Sequence, residues 1–170
     1  RIENCANVVA TSAGFYGIYN TSSQYRLNLY GNTIANNTLG SSSATATGTM
    51  YLLYSSASNT NAGSLHDIYN NTVRGNTRVQ STVSTGTNYC YYITGSGETL
   101  NFHDNVLGNN QLASTSTSAG FYMTSTNLTK NIYNNRIDTL SINGGTLSGL
   151  YNSGGTTVNV TGNKIGGVSV

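Results

Sequence analysis

Apolar and polar residues alternate over short stretches of this chain, and the stretches recur. The clearest two are Ile68-Tyr69-Asn70-Asn71-Thr72-Val73 and Ile132-Tyr133-Asn134-Asn135-Arg136-Ile137. In each, an apolar residue stands three positions before an Asn and an aliphatic stands two positions after it. The Asn-x-aliphatic step occurs as Asn7/Val9, Asn32/Ile34, Asn71/Val73, Asn105/Leu107, Asn135/Ile137 and Asn163/Ile165, at intervals of 25, 39, 34, 30 and 28 residues. Leu29, Ile68, Phe102, Ile132 and Val160 hold the apolar position; the first copy has Asn4 there. One residue earlier runs a polar row of Glu3, Asn28, Asp67, Asn101, Asn131 and Asn159. A period of two is that of a half-buried strand.

A second strand precedes most copies, as Gly14-Phe15-Tyr16, Thr49-Met50-Tyr51, Asn88-Tyr89-Cys90, Gly120-Phe121-Tyr122 and Gly149-Leu150-Tyr151. The aliphatic after each Asn marks a third, short strand. Ser- and Thr-rich connections such as 41–49 and 113–119 separate the copies and read as solvated loops. One such unit cannot bury its own apolar face, but stacked units share a continuous core. The pattern predicts an all-β chain, a right-handed parallel β-helix of about six coils with three short strands each. We expect one domain over residues 1–170, a segment of a longer repeat chain. The predicted inward rows are Phe15/Met50/Tyr89/Phe121/Leu150, Leu29/Ile68/Phe102/Ile132/Val160 and Val9/Ile34/Val73/Leu107/Ile137/Ile165.

The recurring Asn falls at the corner between the second and third strands. Asn tolerates the left-handed backbone of a tight corner, and identical amides stacked coil upon coil form a ladder. Asn7, Asn32, Asn71, Asn105, Asn135 and Asn163 are therefore expected to form a structural ladder. These repeats resemble the parallel β-helix repeat of pectate-lyase-like proteins, in which an apolar residue, Asn-like residues, a small residue and Ile or Val follow one another. The Tyr-, Asn-, Ser- and Thr-rich flavour resembles β-helical regions of large secreted or surface proteins of Bacteroidetes-type bacteria. That resemblance implies export, a place at the cell surface and adhesion.

Composition narrows the chemistry. Charged residues are 7% of the chain and the formal net charge is +2, with Lys and Arg scattered, so no phosphate-tracking stripe is present and nucleic acid is not an expected partner. No apolar run is long enough to span a membrane. Enzymes that resemble this repeat gather carboxylates around Ca²⁺ or pair them as acid and base. Here the acids are Glu3, Asp67, Glu98, Asp104 and Asp138. Glu3 and Asp67 share the polar row two coils apart, and Asp104 is expected to point away from Asp67. By alternation His66 is expected inward or at a strand edge, and His103 outward. We therefore expect no catalytic residue, no metal site and no cofactor. Cys5 and Cys90 fall three coils apart on different strands, beyond the reach of a disulfide.

Two aromatic rows are expected to face outward. One is Tyr16, Tyr51, Cys90, Tyr122 and Tyr151; the other is Tyr30, Tyr69, His103 and Tyr133. Rings with a polar tip suit sugar rings or protein surfaces, and they also shield one another across strands. The expectation is a non-catalytic structural or adhesive segment of a secreted or cell-surface protein. The alternative is a glycan-binding module or a degenerate polysaccharide lyase or hydrolase. The expected partners are glycans, other surface proteins, or further copies joined end to end or laterally.

Overall fold

A computed structural model describes residues 1–7, 12, 14–40, 47–79 and 85–170. Val9 and most of the 41–49 connection lie outside the described residues. The chain enters with β1 (Ile2–Glu3) and β2 (Ala6–Asn7). Four strands make the first full circuit: β3 (Phe15–Asn20), β4 (Arg26–Tyr30), β5 (Thr33–Ala35) and β6 (Thr38–Leu39). The second is β7 (Met50–Ser55), β8 (Leu65–Tyr69), β9 (Thr72–Arg74) and β10 (Thr77–Arg78). The third is β11 (Asn88–Ile93), β12 (Thr99–His103), β13 (Val106–Gly108) and β14 (Asn110–Leu112). The fourth is β15 (Thr117–Met123), β16 (Thr129–Tyr133), β17 (Arg136–Ile137) and β18 (Leu140–Ser141). The fifth is β19 (Thr146–Asn152), β20 (Thr157–Thr161), β21 (Lys164–Ile165) and β22 (Val168–Ser169).

Each strand pairs in parallel with its counterpart one circuit away, giving four all-parallel sheets. The fold is a right-handed parallel β-helix, the hand that parallel crossovers take almost without exception. At ~4.8 Å per coil, five circuits make a rod about 24 Å long. Each coil has four strands, one more than the sequence pattern predicts. The extra strand follows a second corner five residues after the first, and its two or three residues are too few to display an alternation.

Both corners are built alike. The residue before each first-corner Asn is left-handed: Gly31, Asn70, Asp104, Asn134 and Gly162, with φ between 52° and 66°. At the second corner Asn4, Asn36, Gly75, Asn109 and Gly167 play the same part. The left-handed residue is thus the neighbour of the ladder Asn, which corrects the expectation that the ladder Asn itself adopts it. An L-residue pays about 1–2 kcal/mol for this conformation, Asn and Asp less, and a β-branched residue most. Asn70 is exposed, so substitution there tests backbone strain with little loss of packing. Asn70→Val is expected to destabilise by about 1–2 kcal/mol and Asn70→Gly by nothing measurable, as read from urea denaturation midpoints.

The first corner carries an unbroken amide ladder. Asn71 Oδ1 accepts both the backbone N–H of Asn32 at 3.1 Å and its Nδ2 at 2.9 Å. Asn71 Nδ2 donates back to the Leu29 carbonyl at 2.8 Å and forward to Asn105 Oδ1 at 3.1 Å. Asn105, Asn135 and Asn163 continue the pattern. Every donor and acceptor of the Asn71 carboxamide is thereby used, so its burial costs little. A second ladder, not anticipated from the sequence, runs along the other corner. The Cys5 backbone N–H donates to Asn37 Oδ1, and Asn37, Asn76 and Asn110 follow in turn. In the fourth circuit Leu140 replaces the Asn, and the Asn110 N–H goes to the Thr139 carbonyl instead.

Asn7 does not belong to the first ladder. It lies in β2 opposite Leu39, while Ile2, not Val9, stands opposite Ile34. The opening residues are thus seven residues, or one strand of the circuit, out of phase with the expectation, and Asn7 sits two residues past Cys5, the residue in register with the second ladder. Glu3 likewise pairs with Ala35 and not with the Asn28/Asp67 row.

The core fills the rod from all four faces. The row Leu29, Ile68, Phe102, Ile132, Val160 holds on the second face. The first face is different: Phe15, Met50, Asn88, Ser118 and Leu147 share one register position, and Ile18, Leu53, Tyr91, Phe121 and Leu150 share another three residues on. The predicted row Phe15/Met50/Tyr89/Phe121/Leu150 is therefore a slip of register. Its cause is an irregularity repeated in each first-face strand. Pairing passes over the middle residue, so Leu52 and Leu53 are both buried while Tyr51 and Tyr54 both face out. Such a step abandons strict alternation, as a bulge does. Gly17 occupies this middle position in β3, where a Cβ would collide with the Leu52 carbonyl oxygen.

Candidate functional site

The slipped register reorganises the outward aromatics into two neighbouring columns on the first face. Tyr16, Tyr51 and Tyr89 share one column, which ends in Ala119 and Ser148. Tyr19, Tyr54, Tyr92, Tyr122 and Tyr151 share the other. Tyr16, Tyr51, Tyr122 and Tyr151, expected in a single row, are thus divided between two. Cys90, expected among them, is fully buried, and the same burial drives its thiol pKa upward. Tyr19, Tyr54 and Tyr92 were not among the expected residues. Their signal was a pair of tyrosines three apart in each of three strands, which a strict period of two sets aside.

The rings lie against one another. Tyr51 stacks on Tyr89 at 5.4 Å and 2°, Tyr89 on Tyr122 at 4.1 Å and 3°, and Tyr122 on Tyr151 at 4.5 Å and 10°. This stack crosses from one column to the other between Tyr89 and Tyr122. The reason is the change from Tyr to Ala119, which leaves room for Tyr122 to lean across. Tyr92 meets Tyr51, Tyr89 and Tyr122 edge to face at 5.0–5.6 Å. Offset stacks and edge-to-face pairs are the preferred aromatic arrangements. Tyr89 is left only 7% exposed, and desolvation first, with its tyrosine neighbours second, raises its phenol pKa.

The second face carries the other aromatic row where it was expected. Tyr30, Tyr69, His103 and Tyr133 form one stack, with centroids 5.0, 5.1 and 4.5 Å apart and planes within 7°. His103 is held edge-on by two carboxylates, Asp67 Oδ1 at 3.0 Å from Nε2 and Asp104 Oδ2 at 2.7 Å from Nδ1. Asp104 therefore turns toward the same histidine as Asp67, contrary to the expectation that it points away; its left-handed backbone aims it there. Beside this stack runs an amide row in which exposed Asn159 donates to half-buried Asn131 and Asn131 to half-buried Asn101, each at 2.9 Å.

The remaining acids are dispersed. Glu98 accepts a bond from the Gly63 N–H across a notch of about 320 Å³ lined by Thr60, Ala62, Ser96 and Leu128 among others. Asp138 pairs with Arg136. Among the described residues no group of three or more His, Cys, Asp or Glu side chains is placed to hold a metal ion. His66 does point inward: it is 3% exposed, its Nε2 lies 3.2 Å from the Gln24 carbonyl, and burial lowers its pKa. Two buried cations went unanticipated. Arg78 donates to Asn88 Oδ1 at 2.7 Å and to the Gly86 carbonyl at 3.1 Å, with its pKa lowered by burial to about 10. Lys130 is the other. Arg78 lies in a two-residue strand too short to show an alternation; Lys130 does hold an inward position, two residues before Ile132, and only its charge set it aside.

The described residues contain no helix long and apolar enough to cross a membrane. No known protein family, no curated protein and no solved structure matches this chain.

Proposed function

We propose that this chain is a non-catalytic structural and adhesive segment of a secreted or cell-surface protein, with the tyrosine columns of its first face as the contact surface. The supporting observation is that the repeated chemistry of the chain is turned upon itself. Amides bond to amides and ring faces cover ring faces, which stiffens the rod. What remains for a partner is a field of phenol edges and hydroxyl groups. Amphipathic tyrosines supply contact area at low entropic cost, as they do in protein interfaces. The proposal extends to the resemblance noted in the sequence, that of β-helical surface proteins of Bacteroidetes-type bacteria.

A second reading, glycan binding, has its own observation. At the margins of the stacks Tyr19 is 60% and Tyr30 57% exposed, so each keeps a ring face that a sugar could cover. The expected outcome separates the readings. Beads coated with the chain should adhere to protein- or glycan-coated surfaces, and Tyr54→Ala with Tyr92→Ala should reduce retention at least several-fold. Binding confined to a glycan array and lost with Tyr19→Ala and Tyr30→Ala would favour the second reading. Turnover of an acidic polysaccharide by the chain, abolished by Asp67→Asn, would overturn both.

A further inference from the structure

Lys130 is a nucleophile enclosed by the solenoid. It stands in the row Leu27, His66, Leu100, Lys130, Val158 of the second face, and its side chain is fully buried. Among the described residues no carboxylate pairs with it. Its Nζ donates instead to two carbonyl oxygens of the next coil, Asn152 Oδ1 at 3.1 Å and the Ser153 backbone oxygen at 2.7 Å. The chain beyond Asn152 folds down on the Lys130 stem, so that a Cβ on Gly155 would lie 3.3 Å from Lys130 Cε.

We propose that Lys130 and Asn152 join in an isopeptide cross-link between the fourth and fifth coils. The Lys130 nitrogen attacks Asn152 Cγ, the carbon bonded to the oxygen it already touches. A new C–N bond forms, the Cγ–Nδ2 bond breaks, and one proton passes from the attacking to the departing nitrogen. Ammonia leaves, and no oxidant or reductant is required. Attack requires the Asn152 side chain to turn the face of its carboxamide toward Nζ, while the Ser153 oxygen retains one N–H.

Two features support the reaction. Burial lowers the Lys130 pKa to about 8, which makes the neutral amine accessible near neutrality. The amine is also held in place, fully buried, against the half-buried Asn152 carboxamide. Arg78 supplies an internal contrast, since it meets the fully buried Asn88 carboxamide at 2.7 Å but its guanidinium cannot act as the nucleophile. The cross-link would fasten the fifth coil, whose inward positions Val158 and Val160 are exposed, to the buried core.

The test is mass spectrometry of the full chain after prolonged incubation at about pH 9, above the Lys130 value. The expected result is a mass below that of the sequence by one ammonia, with a branched peptide linking Lys130 to Asn152 after proteolysis. Lys130→Arg and Asn152→Ala should each yield no branched peptide. Succinimide formation at Asn143, which precedes Gly144, also releases ammonia, so the branched peptide is the deciding species. Wild-type chain that shows no branched peptide, with Lys130 open to amine reagents after denaturation, would overturn the proposal, whether or not ammonia has been lost at Asn143.

Discussion

Asn105→Ala is expected to lower the free energy of unfolding by about 4–6 kcal/mol, the largest effect of any single polar substitution in this chain. Asn105 Oδ1 accepts two bonds, from the Asn71 backbone N–H and from Asn71 Nδ2, both at 3.1 Å. Its Nδ2 donates to the Ile68 carbonyl at 2.9 Å and to Asn135 Oδ1 at 3.0 Å. Alanine removes one carboxamide and leaves polar partners in the coils on either side short of a bond. Each buried group left without a partner costs about 1–3 kcal/mol. Asn105 lies in the third of the five circuits, so the damage falls between neighbours and not at an edge. In a solenoid the stability is a sum of repeat and nearest-neighbour terms. Urea denaturation is therefore expected to broaden as well as to shift. Asn143, exposed on a turn, is the control: alanine there should change stability by under about 0.5 kcal/mol.

Phe102→Ala is expected to cost about 3–5 kcal/mol. The ring is fully buried and sits at the centre of the only three-ring cluster of the described core. It meets Tyr91 at 5.5 Å and 89°, and Phe121 at 5.2 Å and 69°; Tyr91 and Phe121 meet at 5.1 Å. These rings come from three strands in two adjacent coils, β11, β12 and β15. Removing one leaves a cavity that rigid backbone ladders on every face cannot collapse to fill. Tyr91 has little freedom to move in, because its hydroxyl is tied to the Asn71 carbonyl at 2.8 Å. Phe102→Leu, which keeps most of the volume, should cost less than half as much. Thermal or chemical denaturation followed by tyrosine fluorescence reads both.

The second and third faces were legible in the sequence because their rows are chemically uniform. Leu29, Ile68, Phe102, Ile132 and Val160 are all apolar, and the Asn two residues before each aliphatic fixes the corner. The first face was not, because each early strand carries two tyrosines three residues apart, and either one continues an outward row equally well. Strict alternation then selects Tyr89 as inward, whereas the local irregularity turns both Tyr89 and Tyr92 out. The second ladder was present in the sequence as an Asn five residues after the first: Asn32 and Asn37, Asn71 and Asn76, Asn105 and Asn110. Leu140 and Val168 interrupt that series, and a repeat found by its most persistent residue passes over one that persists in half the coils. The carboxylates on His103 were hidden for a different reason. The left-handed backbone at Asp104 reverses the direction that alternation assigns to its side chain.

The central claim is that stacked, buried carboxamides hold the coils in register, and side-chain hydrogen exchange tests it most directly. In ¹⁵N–¹H spectra the NH₂ groups of Asn37, Asn71, Asn76, Asn105, Asn110 and Asn135, all buried and bonded to neighbouring coils, are expected to exchange orders of magnitude more slowly than those of Asn28 and Asn143. Exchange of all these amides at the rate of exposed Asn side chains would contradict the ladders, and with them this account of what holds the fold together.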